Sequence, residues 1–181
     1  LGLDEEALRL TEKVVLGWQG PVVADADAIS HFAGRPEALQ QAPGPRVLTP
    51  HSGELGRLLG KSSAEIEADR YGAAREAAER TGQTVLLKGP GTIVASDGGE
   101  WLSVCNIGSP LLATAGSGDV LTGIIAALLC NAPPHEAACA GAYLHALAAE
   151  SWREAIGADR GMLAGEIAEA LPVAIASLSQ K

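Results

Sequence analysis

Aromatic side chains are scarce in this sequence of 181 residues, which contains three Trp, two Tyr and one Phe. Proteins that bind single-stranded nucleic acid stack the bases on such rings, so this function is not expected. Basic residues are also in the minority, because 13 Lys and Arg stand against 22 Asp and Glu, for a formal net charge of −9. This balance disfavours contact with phosphate backbones and with anionic lipid headgroups. The sequence therefore predicts neither a nucleic-acid-binding protein nor a membrane-surface protein.

Cysteine is rare, and Cys105, Cys130 and Cys139 form no Cys-x-x-Cys pair. An odd count without zinc-ligand spacing indicates neither a disulfide framework nor a metal site. We expect all three to be small buried hydrophobic residues in a reducing cytoplasm. No apolar run reaches the roughly 20 residues that cross a bilayer, and the acidic N-terminus lacks the basic start of a signal peptide. Because Met is absent there, we expect the chain to begin inside a longer gene product.

The residues that are present predict one folded domain, since 47% are hydrophobic and the length suits about one domain. Short apolar runs alternate with helical patterns, which is typical of a mostly parallel α/β sheet covered on both faces. The predicted strands are residues 21–25, 46–49 and 84–87, followed by a β-hairpin of residues 92–95 and 101–104. The predicted helices are residues 4–17, 26–32, 54–59, 62–80, 120–129, 133–156 and 164–175.

Four details of this pattern are specific enough to test. Ser62 and Glu65 match a capping box that opens one helix running to about residue 80. The helix over residues 120–129 is almost wholly apolar, so we expect it to be buried on most sides. Residues 34–45 are rich in Gly, Pro and Gln and predict a surface connection. Pro172 is expected to disturb the last helix.

A run of small residues directly before the apolar helix is the strongest chemical signal. Gly116, Ser117 and Gly118 let the backbone approach a ligand closely, and the first amides of a helix attract anions. Asp119 follows at once and can act as a base toward a hydroxyl near that anion. The alternative is that Ser117 or Asp119 only caps the helix.

Three further segments follow predicted strands. Lys88-Gly89-Pro90-Gly91-Thr92 offers a cation and a close-lying loop for phosphate, or else is only a turn. Thr49-Pro50-His51-Ser52-Gly53-Glu54 offers His51 and Glu54 to a ligand or to water on a metal, or else is only a Pro-rich turn with an exposed His. Asp25 and Asp27 end the first strand and can bind hydroxyls, or cap the next helix. Because all four segments lie at strand ends or helix starts, we expect them to line one edge of one sheet.

The order of these segments is itself informative. They read Val23-Ala24-Asp25-Ala26-Asp27-Ala28, Leu48-Thr49-Pro50-His51-x-Gly53-Glu54, Leu87-Lys88-Gly89-x-x-Thr92 and Ala113-Thr114-x-Gly116-Ser117-Gly118-Asp119-Val120-Leu121-x-Gly123. This combination strongly resembles the ADP/ATP-dependent NAD(P)H-hydrate dehydratase family of the ribokinase-like superfamily, and residues 138–149 are similar to its penultimate helix. The resemblance implies a ribokinase-like three-layer α/β/α fold with a mostly parallel sheet. It also implies that residues 1–181 form a single partial domain, incomplete at its N-terminus.

The same resemblance implies a cytoplasmic metabolite-repair reaction. Hydrated NADH or NADPH would lose its added water and become NADH or NADPH again. ADP or ATP, with Mg²⁺, would phosphorylate the ring hydroxyl, and phosphate would then be eliminated. Two other functions stay open, namely a ribokinase-like small-molecule kinase and a non-catalytic nucleotide-binding fragment.

The resemblance also implies roles for individual residues. Asp119 is expected to be the catalytic base, and Gly116, Ser117 and Gly118 the anion hole. The nucleotide is expected to contact Lys88, Gly89, Gly91, Thr92, Gly108, Thr114 and Gly118. The substrate is expected to contact His51, Glu54, Asp25 and Asp119. No direct metal ligand is assigned, although Glu54 is a candidate for contact with Mg²⁺ through water. His145, within an apolar helix, is expected to be structural.

Several positions depart from the family pattern. Ser52 replaces a usual Pro, and Ser109 a usual Asn. Leu111 stands where Gly is usual and is expected to narrow the nucleotide wall. Ala115 also replaces Gly, which is costly if that residue needs a positive φ. Family members carry more α/β structure before residue 1, so we expect an uncovered sheet edge. A homo-oligomer, or packing against an N-terminal segment, would cover it.

Overall fold

The structure is a computed structural model that describes residue 2 and residues 4–179. Short runs of β-branched and Leu residues form the strands, and Ala-rich segments form the longest helices. The strands are β1 (Val22–Ala24), β2 (Arg46–Leu48), β3 (Thr84–Leu87), β4 (Thr92–Ala95) and β5 (Leu102–Cys105). The helices are α1 (Glu5–Val15), α2 (Asp27–Ser30), α3 (Ser52–Leu59), α4 (Ser63–Ala68), α5 (Arg70–Thr81), α6 (Ser117–Leu129), α7 (Pro134–Ile156) and α8 (Ala164–Leu178). Short 3-10 helices lie at Pro36–Gln41, Asp97–Gly99 and Pro110–Leu112.

The five strands form one open sheet in the order β1-β2-β3-β4-β5. The first three strands are parallel, as predicted, and β3, β4 and β5 continue as an antiparallel meander. The predicted hairpin of β4 and β5 is confirmed, and β5 lies at one edge of the sheet. Parallel pairing places the carboxyl ends of β1, β2 and β3 at the same edge, which is where α/β sheets bind ligands.

Alternate side chains of the buried strands pack against helices on opposite faces. On one face, Leu48, Val85 and Leu87 join an apolar cluster with α1 to α5. On the other face, Val47 and Leu86 pack against α6 and α7. This arrangement is the predicted three-layer α/β/α architecture, in which both faces of the strands are buried.

The helix predicted over residues 62–80 is two helices. The capping box is present, because Ser62 Oγ accepts from the Glu65 amide at 3.2 Å and the Glu65 carboxylate accepts from the Ser62 amide at 2.8 Å. The helix ends at Ala68, however, since Asp69 has φ −143° and ψ 75°. The Asp69 side chain then accepts from the Gly72 amide and starts α5. A local side-chain hydrogen bond therefore competed with helix continuation, as Asp often does.

Two other boundaries differ from the sequence prediction. The connection over residues 34–45 contains the 3-10 helix at Pro36–Gln41, and its Leu39 is fully buried. The last helix continues through Pro172 to Leu178. Packing against the rest of the chain therefore overrides the local signal of Pro in both segments.

Helix α6 is not buried on most sides, which corrects the sequence prediction. Its core-facing residues are Leu121, Ile124, Ile125 and Leu129. The opposite side exposes Asp119, Gly123, Ala126 and Ala127, with Cys130 after the helix end. Small residues raise the mean hydropathy of a helix without supplying much area to bury, so composition overstated the burial. The expectation of a buried Cys130 was likewise wrong, while Cys105 and Cys139 are partly buried.

A buried arginine closes the C-terminal end of α1. Arg46 is fully buried, and burial lowers the pKa of its guanidinium. It donates to the carbonyls of Val15 at 2.7 Å, Gly20 at 2.8 Å and Trp18 at 2.5 Å. These carbonyls belong to a helix end and the turn after it, where the dipole favours a cation.

None of the described helices has the length and apolar character needed to cross a membrane.

Candidate active site

The carboxyl ends of β1, β2 and β3 and the start of α6 meet at one edge of the sheet, as predicted. Lys88, which follows β3, places Nζ 2.7 Å from Asp25 Oδ1 after β1 and 3.8 Å from Glu54 Oε2 after β2. The backbone of Gly118 in α6 lies against this group. A Cβ on Gly118 would sit 3.6 Å from Lys88 Nζ and 3.7 Å from Asp25 Oδ2.

The start of α6 has the backbone geometry of an anion site. Two features favour glycine at position 116. Its φ is +84°, and a Cβ there would lie 3.1 Å from Cβ of Ala164, which is a tight contact. The amides of Ser117 and Asp119 already donate to the carbonyls of Thr114 and Gly116. Among the described residues, none accepts from the Gly118 amide. This amide is therefore the clearest free donor in the first turn.

Asp119 is exposed, and its carboxylate makes no hydrogen bond or ion pair within the described part of the chain. It does not cap α6, because no side chain does. Since it lies one residue beyond the free Gly118 amide, its carboxylate is available to a hydroxyl placed beside a bound phosphate. The structure thus removes the capping alternative for Asp119.

His51 and Glu54 are joined at the start of α3. His51 Nδ1 accepts from the amides of Gly53 and Glu54 at 3.0 and 3.3 Å. The Glu54 carboxylate accepts from the His51 amide at 2.8 Å, and its other oxygen lies 3.3 Å from His51 Nε2. This is a capping box with His in the usual place of Ser or Thr. The contact of Nδ1 with two amides requires the tautomer that is protonated on Nε2.

The carboxylates of this site are engaged with protein groups. Glu54 is buried and uses both oxygens, while Asp25 accepts from Thr122 at 3.3 Å on the oxygen that does not face Lys88. In the described residues, no group of three or more His, Cys, Asp or Glu could hold a metal ion. The described protein groups therefore do not form a ready Mg²⁺ site by themselves, and contact of Glu54 with Mg²⁺ through water stays a prediction.

Asp27 lies apart from this group, although it stands two positions after Asp25. It begins α2, and its carboxylate accepts from the Gly2 amide at 3.0 Å. That backbone hydrogen bond lowers the pKa of the Asp27 carboxyl. Of the two acidic residues after β1, only Asp25 faces the site.

A cleft of about 700 Å³ opens beside Lys88. Every residue predicted to contact the nucleotide lines it, namely Lys88, Gly89, Gly91, Thr92, Gly108, Thr114 and Gly118. The residues predicted to contact the substrate and not the nucleotide, Asp25, His51 and Glu54, lie outside its lining, as does Asp119. Lys88 and Gly118 line the cleft and also lie beside Asp25, so the two predicted groups of residues adjoin at these positions.

His145 lines the same cleft, which sequence reasoning missed. Its Nε2 lies 3.1 Å from Ser117 Oγ, and burial lowers the pKa of the ring to about 4. The histidine is satisfied, as predicted, but its partner belongs to the predicted anion hole. Its spacing from Ala142 on α7, an i, i+3 pair facing the cleft, is the signal that was available.

Leu111 and Ala115 depart from the family pattern without the effects expected from the sequence. Leu111 is buried in a cluster with α7 and α8 and is not among the cleft-lining residues, so it does not narrow the wall as expected. Ala115 does not have a positive φ; of the described non-glycine residues, only Ala26 does. The strain considered for Ala115 is therefore absent.

Comparison with known proteins identifies the family. A family model described as NAD(P)H-hydrate dehydratase matches residues 1–173. The chain belongs to the NAD(P)H-hydrate dehydratase family. A relative from Neisseria meningitidis serogroup B, named ADP-dependent (S)-NAD(P)H-hydrate dehydratase, is 49% identical over 153 residues, which cover 83% of this chain. Because that match covers 51% of the relative, this dehydratase-family chain spans about half of that protein's length.

Solved structures agree with this assignment. The ADP/ATP-dependent NAD(P)H-hydrate dehydratase from Bacillus subtilis, co-crystallised with ATP and Mg²⁺, has a TM-score of 0.83 and 32% identity. The match covers 95% of this chain and 60% of that one. A ribokinase-like superfamily protein from Enterococcus faecalis has a TM-score of 0.73 and 30% identity, over 96% of this chain and 59% of that one. The fold is therefore ribokinase-like.

Proposed function

We propose that this chain forms the nucleotide-holding and proton-accepting part of a NAD(P)H-hydrate dehydratase. The reaction is a hydro-lyase repair step that returns hydrated NADH or NADPH to NADH or NADPH with ADP or ATP as co-substrate. The observation that carries the proposal is that the Gly118 backbone lies beside the Lys88–Asp25 pair at the cleft. The next residue, Asp119, has a carboxylate that no described residue pairs with.

The nucleotide fits the cleft in one direction. Lys88 carries the one fixed positive charge among the described residues that line it, so the phosphates belong at the Lys88 and Gly118 end. Leu121, Ala142 and Ala146 supply apolar surface at the side formed by α6 and α7, which suits the nucleoside. The glycines at 89 and 91 have φ of +140° and +62°, so they keep the loop beside the phosphates free of side chains.

Asp119 acts on the second substrate. Its carboxylate accepts the proton of the ring hydroxyl while that oxygen forms a bond to the terminal phosphorus of the nucleotide. The nucleotide leaves with one phosphate fewer. The ring-bound phosphate later departs with the electrons of the C–O bond, while the neighbouring ring carbon loses a proton to water and its C–H electrons form the restored C=C bond. Phosphate is a better leaving group than hydroxide, which explains why the dehydration uses a nucleotide. Asp25, His51 and Glu54 lie on the side where this ring would bind.

Mg²⁺ fits this site only as a companion of the nucleotide. Because Asp25 and Glu54 are engaged with protein groups, the phosphates and water would supply most of its ligands, as is common for this ion. When bound, it neutralises phosphate charge. The steps assigned to Lys88, Gly118 and Asp119 do not depend on a direct contact between the protein and the metal.

The proposal treats residues 1–181 as one partial domain in the cytoplasm, a setting that suits its free thiols. It includes a second copy, or an N-terminal segment, packed on the exposed apolar side chains. The support is the exposure of Leu163 at 67%, Val173 at 65% and Ile175 at 50%, together with the open edge of β1. Sedimentation and heat denaturation test this part. A monodisperse monomer in sedimentation that also unfolds cooperatively on heating would contradict it.

Recovery of reduced-nicotinamide absorbance tests the reaction. Hydrated NADH is mixed with the chain, Mg²⁺ and either ADP or ATP, and Asp119→Asn serves as the inactive comparison. Recovery that requires a nucleotide and Asp119 supports the proposal and names the co-substrate. If nucleotide is consumed only with an added primary alcohol, the proposed dehydratase reaction is replaced by that of a small-molecule kinase. Nucleotide binding without either reaction would favour a non-catalytic fragment.

A further inference from the structure

Arg70 lies beneath the loop that follows β3, and its side chain is mostly buried, with 13% exposed. Its Nη2 donates to the carbonyls of Leu87 at 3.4 Å and Lys88 at 3.3 Å. The guanidinium also lies directly under Gly89, since a Cβ there would come within 2.8 Å of Nη1. This side chain therefore supports the backbone on both sides of the Lys88 side chain.

The same guanidinium reaches the turn that carries His51. Its Nη1 lies 3.5 Å from Ser52 Oγ and 3.0 Å from Glu67 Oε1, and Ser52 Oγ also donates to Glu67 Oε1. Ser52 is the first residue of α3 and follows His51 directly. The two loops also touch, because the Lys88 amide donates to the Pro50 carbonyl at 2.8 Å.

We propose that Arg70 is a positioning residue that holds the loop of Lys88 and the turn of His51 in one arrangement. It rests on the proposed function in so far as these loops contact nucleotide and substrate. A planar guanidinium can donate in several directions at once, which one ammonium cannot do. Arg70 itself lies outside the lining of the cleft, so it acts through Lys88 and not by contact with nucleotide.

Calorimetric titration of ADP with Mg²⁺ into the chain measures this role. We expect Arg70→Ala to weaken ADP binding about tenfold, the effect of losing one or two hydrogen bonds from a charged donor. Arg70→Lys keeps the positive charge but loses the planar set of N–H donors, so this variant should recover only part of the affinity for ADP. Arg75→Ala is the matched control, since Arg75 lies exposed on the same helix and should leave the affinity unchanged.

A double-mutant cycle separates positioning from general destabilisation. In a Lys88→Met background, Arg70→Ala should change ADP affinity by less than about twofold, because the residue through which Arg70 acts is gone. An undiminished tenfold effect in that background would overturn the proposal, and so would an Arg70→Ala affinity equal to that of Arg75→Ala.

Amide hydrogen exchange makes the test independent of catalysis and of nucleotide binding. Arg70→Ala should speed exchange in both residues 49–54 and residues 87–92 relative to Arg75→Ala, and Ser52→Ala should do so mainly in residues 49–54. If Arg70→Ala is too unstable to study, Arg70→Lys is compared in its place. Unchanged exchange in both segments would overturn the positioning role. Absent turnover with normal ADP binding would count against the proposed reaction alone.

Discussion

Lys88 Nζ and Asp25 Oδ1 lie 2.7 Å apart, although the two residues are separated by 63 positions in the chain. Both side chains are mostly buried, at 22% and 13% exposed. The pair holds the Lys88 ammonium beside the cleft, on the side where Glu54 and His51 lie. The Lys88 ammonium is therefore already positioned to bind a phosphate. The phosphate would take the place of the Asp25 carboxylate as the anion beside it.

Lys88→Met should harm both binding and stability. Losing the cation should weaken ADP binding by at least about tenfold. It would also leave the mostly buried Asp25 carboxylate without its partner, at a cost of about 3 kcal/mol in the free energy of unfolding. Lys61→Met is the control, because Lys61 pairs with Glu76 in a more exposed position and should cost less than about 1 kcal/mol. Urea unfolding compares the two, and equal losses would contradict the role of the Lys88 pair.

Asp119→Asn should abolish turnover and leave nucleotide binding largely intact. Because the Asp119 carboxylate is exposed and no described residue pairs with it, loss of its charge should reduce the free energy of unfolding by less than about 1 kcal/mol, from the helix dipole alone. Glu136→Gln changes a carboxylate in the first turn of α7 and should leave turnover unchanged. Initial rates and ADP titration are the measurements. Normal turnover of the Asn variant would remove Asp119 from its assigned role.

His145 should make stability depend on pH. Its pKa is lowered from 6.5 to about 4 in the folded protein, mainly because the ring is buried. Between these values the unfolded chain binds more protons than the folded one. The free energy of unfolding should therefore fall as the pH is lowered from 6.5 toward 4, by about 3 kcal/mol in all.

The variant His145→Gln isolates this contribution, since Gln can keep the hydrogen bond to Ser117 but does not titrate. Urea unfolding of both proteins at pH 7 and near pH 4.5 gives the comparison. The difference in stability between them should shift in favour of the variant at the lower pH. Parallel pH profiles for the two proteins would show that His145 is not the titrating group.

Arg46→Met should destabilise the fold by about 3–5 kcal/mol, because it leaves buried backbone carbonyls at the end of α1 without donors. Arg46→Lys should cost less, since one ammonium can satisfy part of this set. Arg9→Met is matched on the surface of α1, where the pair with Glu5 is almost fully exposed, so no measurable change is expected. Thermal and urea unfolding decide whether Arg46 and Arg9 differ.

Local sequence was enough to predict most of the fold and which segments meet at one edge of the sheet. Apolar runs of strand length marked β1, β2 and β3, and parallel pairing then required the segments after them to meet at one edge. The residues predicted to contact nucleotide all line one cleft for this reason. Glycines and a lysine after a strand are local signals, although the position of the Lys88 ammonium also depends on Asp25, which is 63 positions away.

Contacts over long sequence distances were beyond such reasoning. Nothing near Arg70 in sequence indicates that it supports Leu87 and Lys88, which lie 17 and 18 positions away. The break at Asp69 and the exposed side of α6 likewise depended on which neighbours the rest of the chain provides. Composition reports how apolar a helix is, but not which of its sides another element covers.

The amino-acid sequence by itself determined the α/β class, the order of the chemical segments and membership in the NAD(P)H-hydrate dehydratase family. The class and the order of the segments follow from periodicity and from residue types at fixed spacing, which are local properties of the chain. Family membership rests instead on the similarity of the chain to known members. Tertiary structure decided that Asp25 pairs with Lys88, that Glu54 and His51 bond to each other, and that no described residue pairs with the Asp119 carboxylate. Such choices depend on which groups are brought within about 3 Å of one another and removed from water, and only the folded arrangement sets that.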